Sequence, residues 1–194
     1  MLRPWTIRGV LVGMLGVGLS FGLAQVPVGA QGTTPDPLGP AGQPFEVTAR
    51  LRGFQETPAI STRGRGDFKA TVSRTAIQYE LSYANLEGAA NVAHIHFGQR
   101  GVAGGISAFL CGGGGKPACP PAGTVTGMVT AADIIGPAAQ GIEPGQFLEL
   151  VRAMRAGVTY ANVHSLPQWP QGEIRGQIRR VDVPPPPEET VEES

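Results

Sequence analysis

The chain has 194 residues, no formal net charge at pH 7, 41% hydrophobic residues, 29 Gly and 18 Pro, which suits one modest domain with loops and irregular ends. Balanced charge offers no global attraction for nucleic acid, and that class of partner is set aside. Three histidines and two cysteines are the chain's only imidazoles and thiols, so their spacing carries the functional reading.

Residues 1–30 read as a secretory signal: Arg3 and Arg8 precede an uncharged apolar run from Gly9 to Ala24, and Val28-Gly29-Ala30 supplies small residues before a cut ahead of Gln31. The competing reading is an uncleaved membrane anchor, but the run falls short of the roughly 20 apolar residues a span needs. No membrane attachment is therefore expected after cleavage, and the mature chain is expected to be secreted or periplasmic. Residues 31–44, rich in Pro and Gly, read as a linker. Residues 182–194 carry a polyproline run followed by acid, with too little apolar surface to fold. Between them, residues 45–181 hold thirteen Lys and Arg against nine Asp and Glu, so the domain is mildly basic and its tail acidic.

Within the domain the apolar residues alternate. Phe45, Val47, Ala49 and Leu51 share one face of a first strand; Phe68, Ala70 and Val72 mark a second; Ile77, Tyr79, Leu81 and Tyr83 mark a third. The fourth, Val92 to Phe97, carries AHIH. Side chains alternate between faces along a strand, so His94 and His96 share one face while Ala93, Ile95 and Phe97 take the other. A Gly-rich turn, residues 98–105, leads to a fifth strand at 106–110, and residues 124–129 suggest a sixth. Cys111 and Cys119 bracket a Gly-rich loop that can bend back on itself; in an exported protein they read as a local disulfide rather than a thiol metal pair.

Thr130 begins a short helical turn as its cap, with Asp133 at the third position. Phe147, Leu150, Val151 and Met154 then recur at helical spacing, which predicts one amphipathic helix over residues 146–155 that covers the core. Strands at 158–164, ending in His164, and at 173–181 complete the count, joined by a loop SLPQWPQG whose Trp169 is either a recognition residue or an anchor. About eight short strands predict an all-β antiparallel sandwich or barrel of Greek-key type with one short helix in a late connection. Such a topology lets the fourth and seventh strands meet, which a common site for His94, His96 and His164 requires.

Three neutral imidazoles suit copper, with zinc second, and leave a coordination position open. Asn162, Glu173 and Gln99 are the polar residues expected to orient the rings. Glu173 and Arg175 share a strand face, so Glu173 is also a candidate to complete the ligand set and Arg175 to draw a small anion toward the metal.

The blocks LRGFQETPAISTRGRGDF, LSYANLEG with AHIHFGQRG, AGVTYANVH and QGEIRGQI resemble the CHRD domain, the chordin-type module of exported proteins. That resemblance implies an all-β sandwich of about this length. A weaker resemblance is to copper/zinc superoxide dismutases, which also carry an HxH on one strand, a Val-His on a later one and an arginine near a glycine toward the C-terminal end. The matching positions are His94, His96, His164 and Arg175. The fourth, zinc-bridging histidine of that family has no counterpart, which excludes a binuclear centre and leaves a mononuclear one. Three functions follow in order: copper binding without turnover, superoxide dismutation at a mononuclear copper with Arg175 as anion guide, and a metal-free structural or protein-interaction domain. A protein partner and self-association stay open beside the metal.

Overall fold

The computed structural model describes residues 43–181. The expected signal at 1–30, all but the last two residues of the linker at 31–44, and the tail at 182–194 lie outside the described residues.

The described chain is all-β with one helix. Strands β1 (Phe45–Arg52), β2 (Arg65–Val72) and β3 (Ile77–Ala84) pair as an antiparallel meander in an unbroken register from Phe45↔Val72 to Arg52↔Arg65 and from Arg65↔Ala84 to Val72↔Ile77. Their apolar residues face inward, as the alternation predicts, because a half-covered sheet separates apolar and polar side chains at a period of two. Strands β4 (Ala89–Phe97), β5 (Gly105–Cys111), β6 (Gly123–Val129), β7 (Thr159–Leu166), β8 (Trp169–Gln177) and the short β9 (Arg179–Arg180) complete the sheet. The spatial order is β5-β4-β7-β8-β1-β2-β3-β6, with β9 on β1. All pairings are antiparallel. The sheet curls into a nearly closed barrel, and the Tyr79 hydroxyl of β3 reaches across the interior to the Leu110 carbonyl of β5 at 2.6 Å.

The helix α1 (Phe147–Arg155) adds Phe147, Leu150, Val151 and Met154 to the core, the stripe expected from its spacing. Thr130 and Asp133 close a single 3₁₀ turn by a 2.7 Å bond from the Thr130 amide to the Asp133 carboxylate. Cys111 and Cys119 form the expected disulfide, with Cα atoms 5.0 Å apart. Among the described residues no helix is long and apolar enough to cross a membrane.

One boundary differs from the sequence reading. The segment from Ser165 to Gly172 is mostly strand: β7 runs to Leu166 and β8 begins at Trp169, leaving a turn of two residues. Prolines and glycine in SLPQWPQG signal a loop, but Ser165 still pairs with Trp169 beyond a register shift after Val163, and the Trp169 indole N–H donates to Glu87 at 2.9 Å. Trp169 therefore ties the hairpin to the β3–β4 connection.

For the site, the decisive pairing is β4 with β7. Val92 lies opposite His164, His94 opposite Asn162, and His96 opposite Tyr160. Residues directly opposite in an antiparallel pair project to the same face, so one sheet face gathers all three histidines. Strand β8 extends it, since Asn162 pairs with Arg175 and Tyr160 with Gln177.

Candidate metal centre

One ring nitrogen from each of His94, His96 and His164 lies within 4.8 Å of the other two. His94 is central: its ring centroid is 5.2 Å from that of His96 and 5.0 Å from that of His164, both edge to face. Phe109, its partner across β5, packs edge to face against it at 4.6 Å. Ala93 and Ile95 point the other way and are wholly buried in the core, so β4 is covered on both faces here.

The hydrogen bonds assign the tautomers. His96 Nδ1 lies 3.0 Å from the Gly104 carbonyl and His164 Nδ1 lies 2.9 Å from the Pro170 carbonyl. A carbonyl only accepts, so each Nδ1 carries the proton and each Nε2 presents a lone pair. Both Nε2 atoms, and Nδ1 of His94, are buried without a hydrogen-bond partner. Leaving such an atom unsatisfied costs about 1–3 kcal/mol, and native interiors rarely do so without a reason.

Burial first, then the neighbouring His96 and His164, pushes the His94 imidazolium down to about 3. Burial takes His96 down to about 4, with His164 and Arg175 adding to it and the Gly104 bond opposing. Burial lowers His164 as well, against its bond to Pro170. At neutral pH all three rings are uncharged, so protons do not compete for the lone pairs.

These residues fit a metal ion. The donor set is three neutral imidazoles, two of them oriented by a backbone carbonyl on the far nitrogen, the arrangement that fixes ring orientation in metal sites. Nitrogens bound at about 2.0–2.1 Å to one ion stand roughly 3.3–3.6 Å apart, so the rings need to close by little more than an ångström from their 4.8 Å limit.

The side chains expected to orient the rings are engaged elsewhere. Glu173 is fully buried, but its carboxylate accepts from the Thr62 hydroxyl at 2.6 Å, the Glu87 amide at 2.9 Å and the Ser165 hydroxyl. It therefore fastens two loops and Ser165 of β7 to β8. Asn162 donates to Glu56 at 2.5 Å and to the Ile174 carbonyl at 3.2 Å. Gln99 enters only through its backbone carbonyl, which accepts from Arg175.

Arg175 is 3% exposed. It donates to the Thr57 hydroxyl at 3.2 Å and to the carbonyls of Gln99 and Val102 at 3.2 and 2.7 Å, and its guanidinium lies 3.4 Å from the Tyr160 ring centre. The Tyr160 ring in turn stacks on His96 at 4.6 Å, nearly parallel. A guanidinium from β8 and an imidazole from β4 thus both lean on the tyrosine of the strand between them, and Arg175 staples the loops before β2 and before β5 over the site.

Glu56, Tyr160 and the Gly104 and Pro170 carbonyls escaped the sequence reading. Burial pushes the Glu56 carboxyl up to about 7, against the pull of Arg175, Asn162 and the Thr57 backbone. Its signal was a lone carboxylate inside the block GFQETPA, which has no periodicity. Gly104 was readable only as flexibility, yet a Cβ there would collide with the Phe97 carbonyl. The close approach is what lets its own carbonyl reach His96.

Comparison with known proteins bears on this site through the family. The CHRD domain model matches residues 47–178. The chain belongs to the CHRD domain family. Both histidine-bearing strands, the Glu56 loop and Arg175 fall inside the match, and the disulfide agrees with a CHRD domain of extracellular type. No curated protein and no solved structure matches the chain, so the likeness to copper/zinc dismutases gains no support from these comparisons.

Proposed function

We propose that this CHRD domain is an exported metal-binding module that holds one transition-metal ion, copper before zinc, through His94, His96 and His164. The observation that carries the reading is that three histidines on one face each offer a ring nitrogen within 4.8 Å of the others, and each ring holds one buried nitrogen without a hydrogen-bond partner. A metal ion satisfies all three at once, whereas a hydrogen-bonded structural cluster would have to pair at least some of them. Copper stands above zinc in the affinity order for nitrogen donors.

The dismutase reading asks Arg175 to draw an anion to an open metal position. Arg175 is buried, with its donors committed to Thr57, Gln99 and Val102, and this favours binding without turnover. The metal-free interaction domain asks for free loops. Here the loop around Gly104 is tied to His96, Tyr160 and Arg175, and Trp169 is tied to Glu87.

Titration of the purified domain with Cu(II) and Zn(II), beside His94→Ala, His96→Ala and His164→Ala, tests the proposal. The wild type is expected to take up one equivalent, with copper displacing zinc, and each variant to lose the site. Equal affinity in all four proteins would sink it.

A further inference from the structure

Resting on the three-histidine reading, the geometry points to a site that holds copper as Cu(I) in preference to Cu(II), so that the domain is a carrier of the reduced ion. The argument is one of charge and donor supply. All three donors are neutral, and among the described residues no carboxylate or thiolate joins them. The carboxylates, thiols and phenol of the neighbouring strands and loops named here have other partners. Glu173 accepts from Thr62, Glu87 and Ser165. Cys111 and Cys119 are oxidised to the disulfide. The Tyr160 hydroxyl is held by the backbone of Gly104 on both its amide and its carbonyl side. Glu56 reaches this face only through Asn162 and is set against Arg175.

Two further features act in the same direction. His94 and His96 are 4% and 8% exposed, with Phe109 and Tyr160 packed against their rings, and His164 is half-buried. The cost of taking an ion out of water rises with the square of its charge, so a buried pocket of neutral donors opposes a dication far more than a monocation. The buried guanidinium of Arg175 on the Tyr160 ring adds a repulsion that is doubled for Cu(II). Three imidazole nitrogens can fill a low-coordinate shell for Cu(I), whereas Cu(II) seeks a tetragonal set of which these three are only a part.

The experiment loads the full exported domain with copper and measures the reduction potential of the bound ion. In parallel it measures Cu(I) affinity, by anaerobic competition with bathocuproine disulfonate, and Cu(II) affinity, by competition with nitrilotriacetate. The expected result is a potential above that of the aqueous Cu(II)/Cu(I) couple, which by the thermodynamic cycle means tighter holding of Cu(I). Phe109→Glu, which sets a carboxylate against the His94 ring, is expected to shift the potential downward. A wild-type potential at or below the aqueous couple overturns the Cu(I) preference while leaving the metal site standing. Binding of neither copper state nor zinc overturns the site and the preference together.

Discussion

Strands β1 to β3 and strands β4, β7 and β8 belong to one sheet, yet they meet solvent differently. On β1 to β3 the outward side chains, among them Glu46, Thr48, Lys69, Thr71, Gln78 and Glu80, are exposed along an open trough. On the other three strands the corresponding face carries His94, His96, Tyr160, Asn162 and Arg175, all buried. The same pleat therefore yields a solvated surface on one side of the barrel and a second, polar interior on the other. The cover comes largely from loops, fastened through Glu56 to Asn162, through the Gly104 carbonyl to His96, and through Arg175 to Thr57, Gln99 and Val102, while the Pro170 carbonyl at the start of β8 holds His164. Polar side chains are costly to enclose, so a polar face roofed by committed loops marks a part of the fold kept for something other than stability.

The contrast breaks first at Glu173. Glu173→Ala strands the Thr62 and Ser165 hydroxyls and the Glu87 amide, and is expected to cost about 3 kcal/mol, read as a lower urea midpoint. A loss no larger than that of a surface change would mean that the loops are not anchored there. Next comes Gly104→Ala. By pushing Gly104 off the Phe97 carbonyl it displaces the acceptor of His96, and copper affinity is expected to fall by about 10–100-fold, as when other orienting partners of metal ligands are removed. An unchanged affinity with a normal fold would show that the carbonyl does not orient the ring.

The third prediction concerns acid. The three histidines have folded values below 6.5, so their contribution is complete above the unfolded value and is lost as pH falls toward about 3 for His94 and 4 for His96. Glu56, raised from 4.5 to about 7, does the reverse: its contribution is complete below 4.5 and is lost as pH rises through 7. Between pH 6.5 and 4.5 three groups oppose one, so the metal-free domain is expected to lose stability on acidification, and Glu56→Gln to steepen the loss. A flat profile in chemical denaturation would contradict the neutral, buried state of the rings. The smallest effect belongs to the solvated half: Lys69→Ala and Gln78→Ala are expected to change stability by less than about 0.5 kcal/mol and copper affinity not at all.

The same contrast explains what the sequence could tell. Alternation located β1 to β3 almost to the residue, because it reports a face that is buried against a face that is wet. It also put His94 and His96 on one side of β4. Where both faces are buried, alternation separates the residues but does not say that the second set is enclosed. The cover is made largely by segments without a period: a carboxylate in GFQETPA and a glycine carbonyl in the turn before β5. Residue type and strand face mark Glu173 in the sequence, but its partners Thr62 and Glu87 lie 111 and 86 residues away and follow only from the folded topology. Family resemblance and the possibility of strand pairing join His164 to the other two; the β4–β7 register supplies the physical reason.

The most direct test of the central claim is X-ray absorption at the copper edge of the loaded full-length domain. The account predicts three imidazole nitrogens at about 2 Å, no sulfur scattering, and in His96→Ala either no bound copper or a shell of fewer than three imidazoles. A spectrum with a sulfur shell, or one unchanged in that variant, would contradict it.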